Sequence, residues 1–315
     1  MILIWSSRLA LESSSFPFVL QMPGTISDRF AAAVSRYQGT RMTRLMHAPG
    51  HLLYSKLLEV YARQRHVTVW RTAETFWGDR MDVVFPERVS MTLFRYQFFE
   101  RGLTEIMLQS LQPGMAFFDV GAHFGYYSLL AATLVGQTGS VHSFEPTPST
   151  FEVLRRNTAA KPNIHVNNVA LWSKSESLEF RDYGVMFSAF NSISAGGIQD
   201  NMRDGAQGKV CTVQATTVDD YVRATGIAPN LLKLDAEGAE LNIVQGMSQT
   251  ITRYRPILTV EVGDDPRGND RHSRELLNAV LVYGYQPFEA VEGKIVPHQL
   301  LDKYEYENIL LRPLP

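Results

Sequence analysis

The stretch that most limits what this chain can fold into is residues 115–128, Met-Ala-Phe-Phe-Asp-Val-Gly-Ala-His-Phe-Gly-Tyr-Tyr-Ser. A short apolar run, Ala116 to Phe118, closes on Asp119 and Val120, and two glycines follow at 121 and 125. Tyr126, Leu129, Leu130 and Leu134 then recur at helical spacing. The order is buried strand, tight loop, helix, which is how an open α/β sheet begins a nucleotide-type site. Glycine lets the loop backbone take conformations closed to side-chain-bearing residues and lets a ligand come close. The helix start aims its free N–H groups into the same loop.

A dinucleotide fingerprint needs three glycines in the order G-x-G-x-x-G. The loop here has two, four residues apart, and is wider. It suits a ligand without a pyrophosphate, such as S-adenosylmethionine, whose amino-acid end would lie over Gly121 and Gly125. Glu145 sharpens this reading. It stands 20 residues past Gly125, at the end of a second apolar strand, Ser140 to Phe144. A carboxylate in that place accepts both hydroxyls of a ribose. Pro148 suits the first turn of the next helix, and Ser149 with Glu152 has capping-box spacing.

With 315 residues, the chain has material for one elaborated domain or two. A net charge of −2 gives no reason to invoke nucleic acid as a partner. The single cysteine, Cys211, excludes an internal disulfide framework and a thiolate metal site. The apolar start, Met1 to Trp5, is broken by Ser6, Ser7 and Arg8 and is too short for a membrane span, so a cytoplasmic protein is expected. Residues 1–66 hold eight Lys/Arg against three Asp/Glu. An acidic substrate or a membrane surface would suit such a face, but a solvated helical surface is the commoner cause.

Helices are expected at about 26–37 and 50–65, and a hairpin from Val67–Trp70 and Met81–Phe85 turning at Gly78-Asp79. A helical run from Met91 to Leu111 is interrupted at Gly102. Asn163–Asn168 reads as a third core strand running on to Val169-Ala170-Leu171, Leu231–Asp235 as a fourth and Pro256–Glu261 as a fifth. Leu178–Phe180 and Val210–Val213 read as an added layer, separated by a Gly/Ser/Asn/Asp-rich loop over 181–209 that is expected to be mobile and to border the acceptor site. Thr217 with Asp220 caps a helix, and Tyr285–Phe288 with Asn308–Leu311 close the sheet as an antiparallel edge.

Ligands of such sheets bind beyond the carboxyl ends of the strands. Asp119, Glu145, Asp235 and Glu261 all fall at strand ends, and buried strands do not casually carry acids. These strand ends and the segments around them resemble those of a known family. Phe117 to Ser128, Phe144-Glu-Pro-Thr-Pro148, Val169-Ala-Leu171, Thr217-Val-Asp-Asp-Tyr221 and Leu232-Lys-Leu-Asp-Ala-Glu-Gly-Ala-Glu240 resemble, in order, the motifs of FkbM-type S-adenosylmethionine-dependent methyltransferases. The likeness runs over about residues 95–311. It implies a class I methyltransferase-like Rossmann sheet, mostly parallel, as an S-adenosylmethionine-binding domain over 95–315, with a helical and hairpin extension over 1–94. It also implies O-methylation of a hydroxyl on a sugar or secondary metabolite, so the expected partner is a small-molecule hydroxyl acceptor, with homo-oligomerisation left open. One departure is His123, where the family commonly has Asn.

The resemblance implies roles by position. Gly121 and Gly125 line the methionine end, Glu145 the ribose, and Asn168, Val169 and Ala170 flank adenine. Asp119 orders the loop and the cofactor's amino group. Glu100 and Thr104 close over the cofactor. Asp235 and Glu237 face the methyl group and the acceptor, and with His123 they are the available bases. Each has a plainer alternative: His123 as a satisfied loop residue, Glu240 as solvated or paired. His47 and His51 share a helical spacing without an evident third ligand, so no metal is expected there. Asp235 and Glu237, joined by Glu261 or Asp264 and Asp265, form an alternative oxygen-ligand set. Lys233, two residues before Asp235 on the same strand face, argues for chemistry without a metal. Two rival readings stand beside this one. A nicotinamide-dependent oxidoreductase lacks its third glycine, and a cofactor-binding protein without catalysis is compatible with the same fold.

Overall fold

The computed structural model describes residues 24–37, 49–190, 192–193, 208–264 and 272–314. The extension begins with helices α1 (Ile26–Tyr37) and α2 (Pro49–Arg65), followed by the hairpin β1 (Val69–Glu74) and β2 (Arg80–Phe85). Helix α3 (Arg88–Tyr96) starts where Glu87 accepts the N–H groups of Val89 and Ser90, and it stops at Gln97 in the left-handed conformation. Helix α4 (Arg101–Ser110) follows, so the helical run breaks at 97–100 and not at Gly102, which lies inside α4. The expected division at 94/95 falls within α3.

The central sheet is built from β3 (Ala116–Val120), β4 (Ser140–Phe144), β5 (Ile164–Asn167), β10 (Leu231–Leu234), β11 (Ile257–Val262), β12 (Tyr285–Val291), β13 (Lys294–Pro297) and β14 (Glu307–Pro313), in spatial order β13-β12-β14-β11-β10-β3-β4-β5. The five strands from β11 to β5 run parallel, and β14 is antiparallel to both β11 and β12. The tail strands are therefore antiparallel as expected, but β14 inserts between β11 and β12, and the edge is the β12–β13 hairpin. The strand order reverses between β3 and β10, which opens a crevice at their carboxyl ends.

Pleat alternation splits the apolar residues into two cores. Phe117, Val141 and Leu231 face one side, and Phe118, Phe144 and Leu232 the other. The first core also takes Phe30, Phe76, Trp77, Met81 and Val84 from the extension, together with Leu129 and Leu130 of α5 (Tyr126–Val135). The second packs α7 (Val218–Thr225), α8 (Glu240–Gln245), α9 (Ser248–Tyr254) and α10 (His272–Leu281) on the opposite face. The hydroxyl of Thr217 caps α7 by accepting the Asp220 N–H.

A small second sheet joins β6 (Ala170–Leu171), β7 (Glu176–Asp182), β8 (Ser192–Ile193) and β9 (Lys209–Thr216), in the order β6-β9-β7-β8. Ala170-Leu171 thus leaves the core sheet and pairs with β9, so the expected run-on of β5 ends at Asn167. Between β7 and β8 a 3₁₀ segment, Val185–Phe190, breaks into the expected loop. Residues 191 and 194–207 of that loop lie outside the described residues, as do His47 and Asp265. Helix α6 (Pro148–Thr158) follows β4, but its cap is not Ser149. The Ser149 hydroxyl donates to Asp182 at 2.7 Å, and Glu152 pairs with Arg155 at 2.9 Å. Among the described residues no helix is long and apolar enough to cross a membrane.

Candidate active site

The loop after β3 is held from below by one carbonyl. The N–H groups of Gly121 and Ala122 both donate to Phe144 O, at 3.1 and 3.0 Å. Gly121 has φ +71°, and a Cβ there would lie 1.7 Å from the Asp235 carbonyl oxygen. The two loops across the strand-order reversal therefore touch, and only glycine permits it. Gly125 has φ +93°, and its missing side chain leaves room for Leu154, 2.8 Å from a built Cβ. Its role is to seat α5 against α6. His123 sits between them at φ +49°. Asn, His and Asp enter this left-handed region more readily than other side-chain-bearing residues, which accounts for a histidine at a position the family commonly gives to asparagine.

Glu145 is buried, and each of its oxygens accepts one backbone N–H: Oε2 from His123 and Oε1 from Thr147, both at 3.0 Å. Burial pushes its carboxyl up to about 7, partly offset by those N–H donors. A carboxylate offers about four lone-pair directions, so two remain for a pair of hydroxyls.

The second centre of charge is Lys233, 2% exposed. Its Nζ lies 2.9 Å from Asp235 Oδ2 and 3.5 Å from Asp119 Oδ1, with the ring of Tyr127 5.4 Å away. Burial pulls this ammonium down, but the Asp235 and Asp119 charges more than reverse the effect and hold it above the ordinary lysine value. Ser128 donates to the other oxygen of Asp119 at 2.6 Å. Glu100 accepts the hydroxyls of Tyr127, at 2.9 Å, and Tyr306. Burial first, then the Asp235 charge, raises both Glu100 and Glu261 above the usual carboxylate range.

Glu100, Tyr127, Glu145, Lys233, Asp235 and Tyr306 border a cavity of about 1170 Å³. That exceeds the ~300–1,000 Å³ of an ordinary small-ligand pocket, so a cofactor and an acceptor fit together. Among the expected residues, Glu100, Gly121, His123, Glu145, Val169, Ala170, Asp235 and Glu237 line it. Four do not. Asp119 is buried behind the loop, and Gly125 packs against α6. Thr104 is fully buried and donates to Phe99 O at 2.7 Å. Asn168 donates to the Glu145 and Pro146 carbonyls at 2.9 and 3.0 Å, so it clamps the turn and does not face the cavity.

Glu237 is exposed at the rim with φ +51°. Glu240 is paired: its Oε1 accepts the N–H groups of Ala236 and Gly238 at 2.6 and 3.3 Å. His123 Nε2 bonds Ser188 Oγ at 2.7 Å, tying the loop to the 3₁₀ segment, and burial lowers its pKa. His51 is likewise satisfied, stacked on Phe94 and bonded to its carbonyl. Asp264 accepts the N–H groups of Ser273 and Tyr304, away from the cavity. Sequence reasoning missed Tyr127, Tyr306 and Ser188. Tyr306 reaches Glu100 across 206 positions, and no local pattern marks such a pair.

The donor set fits S-adenosylmethionine. A buried carboxylate with two open acceptor directions suits a ribose, Val169 and Ala170 offer an apolar wall, and a surplus of carboxyls over Lys233 suits a cationic sulfonium and ammonium.

Comparison with known proteins agrees with this geometry. The family model described as the methyltransferase FkbM domain matches residues 119–287, more than half of the chain. A curated relative, the hexuronic acid methyltransferase AglP of Haloferax volcanii, is 25% identical over 171 residues, covering 53% of this chain and 65% of that protein. The match thus spans a little under two thirds of that relative. Among solved structures, a methyltransferase FkbM from Methylobacillus flagellatus matches at TM-score 0.40 and 14% identity, over 91% of this chain and 58% of the other. Fibrillarin of Aeropyrum pernix, solved with S-adenosyl-L-methionine, matches at TM-score 0.40 and 10% identity, over 78% of this chain and 98% of the other. Likeness of that degree carries no functional argument. The motifs, the strand order and the family model together place the chain: it belongs to the FkbM family of S-adenosylmethionine-dependent methyltransferases.

Proposed function

We propose that this chain methylates a hydroxyl of a sugar or comparable small metabolite, without a metal ion. The observation that carries this reading is the ion pair at the end of β10, Asp235 with Lys233 at 2.9 Å, inside a cavity also lined by Glu100, Glu145, Glu237 and Glu261. The curated relative's action on a hexuronic acid supports a sugar as the acceptor class.

S-adenosylmethionine supplies an electrophilic methyl group on a cationic sulfur. The chain's own residues do the rest. Glu145 holds the ribose hydroxyls, and Val169 and Ala170 flank the adenine. Asp235 would place its negative charge toward the cofactor's cationic end, and Glu100 and Glu261, raised by burial and by that same charge, would line it as hydrogen-bonding carboxyls. Asp235, oriented by Lys233, accepts a hydrogen bond from the acceptor hydroxyl and turns its oxygen toward the methyl carbon. Such alignment is the largest source of rate in a direct displacement. Asp235 takes the hydroxyl proton as the acceptor oxygen is methylated, and Glu237, at the open rim, relays it to solvent; general-base assistance of this kind contributes about 10²–10⁴-fold. His123 positions the 3₁₀ wall through Ser188. Lys233 already compensates both Asp119 and Asp235, so a divalent ion would have to displace a buried ammonium.

Methyl transfer by purified protein to a panel of sugars, in excess chelator with and without added magnesium, tests the proposal. Asp235→Asn and Glu237→Gln should lower turnover well before they weaken cofactor binding. Activity lost to chelator and restored by magnesium would sink the metal-free assignment.

A further inference from the structure

The part of the cavity wall contributed by the N-terminal extension is basic. Arg63 lies in the last turn of α2, His66 just beyond it, and Arg88 is the first residue of α3. Carboxylates near them do not balance the charge. Glu59 is shared by three cations, Lys56 at 3.1 Å, Arg63 at 3.2 Å and Arg95 at 2.7 Å. Glu87 spends both oxygens on the Val89 and Ser90 N–H groups, at 2.8 and 2.6 Å. Arg88 is exposed and has no ion-pair partner among the described residues. On this wall Arg63 and Arg88 line the cavity against one committed carboxylate, Glu87, while Glu100, Asp235, Glu237 and Glu261 gather around Lys233's end of the same cavity. The cavity is polarised.

Acids suit the cationic end of the cofactor, but a neutral sugar gives the basic wall nothing to bind. We propose that the methyl acceptor carries an anionic group, a carboxylate or a phosphate ester, held by Arg88 with Arg63 while its hydroxyl faces Asp235. This rests on the methyltransferase reading above and names the class of acceptor within it. The planar guanidinium fork matches either anion in a two-point contact. An acceptor held at both ends is fixed in direction, which in-line transfer requires.

The test is a binding titration on the full chain saturated with S-adenosylhomocysteine, using glucose, glucuronate and glucose 6-phosphate as probes. At least one anionic probe should bind tenfold or more tightly than glucose, and the tighter of the two identifies the carboxylate or the phosphate as the recognised group. In Arg88→Gln with Arg63→Gln that preference should fall to within twofold, and Arg88→Lys should keep part of it. Equal binding of the three probes, no binding of any, or a preference that survives the double substitution would overturn the proposal. Titration of S-adenosylhomocysteine itself, on each variant, checks that the site is folded. It also separates failure here from failure of the cofactor reading, which would show as no binding of that nucleoside to the unaltered chain.

Discussion

At the residue scale, two buried charges dominate. Glu145 titrates near 7 because burial disfavours its ionised form. The ionised form is the better acceptor for ribose hydroxyls, so affinity for S-adenosylhomocysteine should rise with pH through about 7 and level off above it. Stability has the opposite slope. The unfolded carboxyl loses its proton near 4.5, the folded one near 7, so this group's contribution falls as pH rises across that window. Calorimetry from pH 5.5 to 8.5 on wild type and Glu145→Gln checks both, since the variant should flatten each slope. Its affinity should fall by about 1.5–3 kcal/mol per charged hydrogen bond lost. Lys233 is the second case. Lys233→Met leaves Asp119, fully buried, beside no cation, and should cost about 3–5 kcal/mol of unfolding free energy. Denaturant melts that coincide with wild type would refute the ion pair's structural role.

At the element scale, the loop after β3 was readable because its constraint is local. A strand, two glycines and a helix follow one another within about a dozen residues, and the observed φ values at Gly121 and Gly125 are left-handed as that pattern requires. The reason for Gly121 was not readable, because the atom that forbids a side chain there is the Asp235 carbonyl, more than a hundred positions away. Gly121→Ala should therefore displace the β10 end as well as strain the loop. The expected result is loss of measurable S-adenosylhomocysteine binding together with a lowered melting temperature. Unchanged binding would mean that the two loops are not in register as described. Ser149 shows the converse error. Its capping-box spacing is real, but Asp182 on β7 offers its hydroxyl a half-buried partner, and Thr147 becomes the residue before the helix.

At the scale of the whole molecule, the extension is part of the fold. Phe30, Phe76, Trp77 and Val84 are buried in the same cluster as Phe117, Leu129 and Leu130 of the sheet layer. Removing residues 1–87 should expose that face, and the remainder should be aggregation-prone or molten, seen as dye binding and lost near-UV dichroism. A truncated chain with a cooperative melt near that of the full one would show that residues 88–315 stand alone. The extension also supplies Arg63, His66 and Arg88 to the cavity, so the same cut removes part of its wall.

What the sequence determined by itself is what short-range periodicity and strand-end chemistry encode: the strand–loop–helix unit, the carboxylate Glu145 at the end of β4, the parallel core strands and the two-residue spacing that sets Lys233 beside Asp235. Tertiary structure decided the rest. It inserted β14 between β11 and β12, carried Tyr306 to Glu100, and turned Thr104 and Asn168 away from the cavity that Arg88 enters. The physical reason is one of range. Hydrophobic period and turn chemistry act over a few residues, whereas a cavity is made by side chains that meet only when distant segments have packed. Which of several acids or bases faces that space depends on burial and on partners that no local pattern contains.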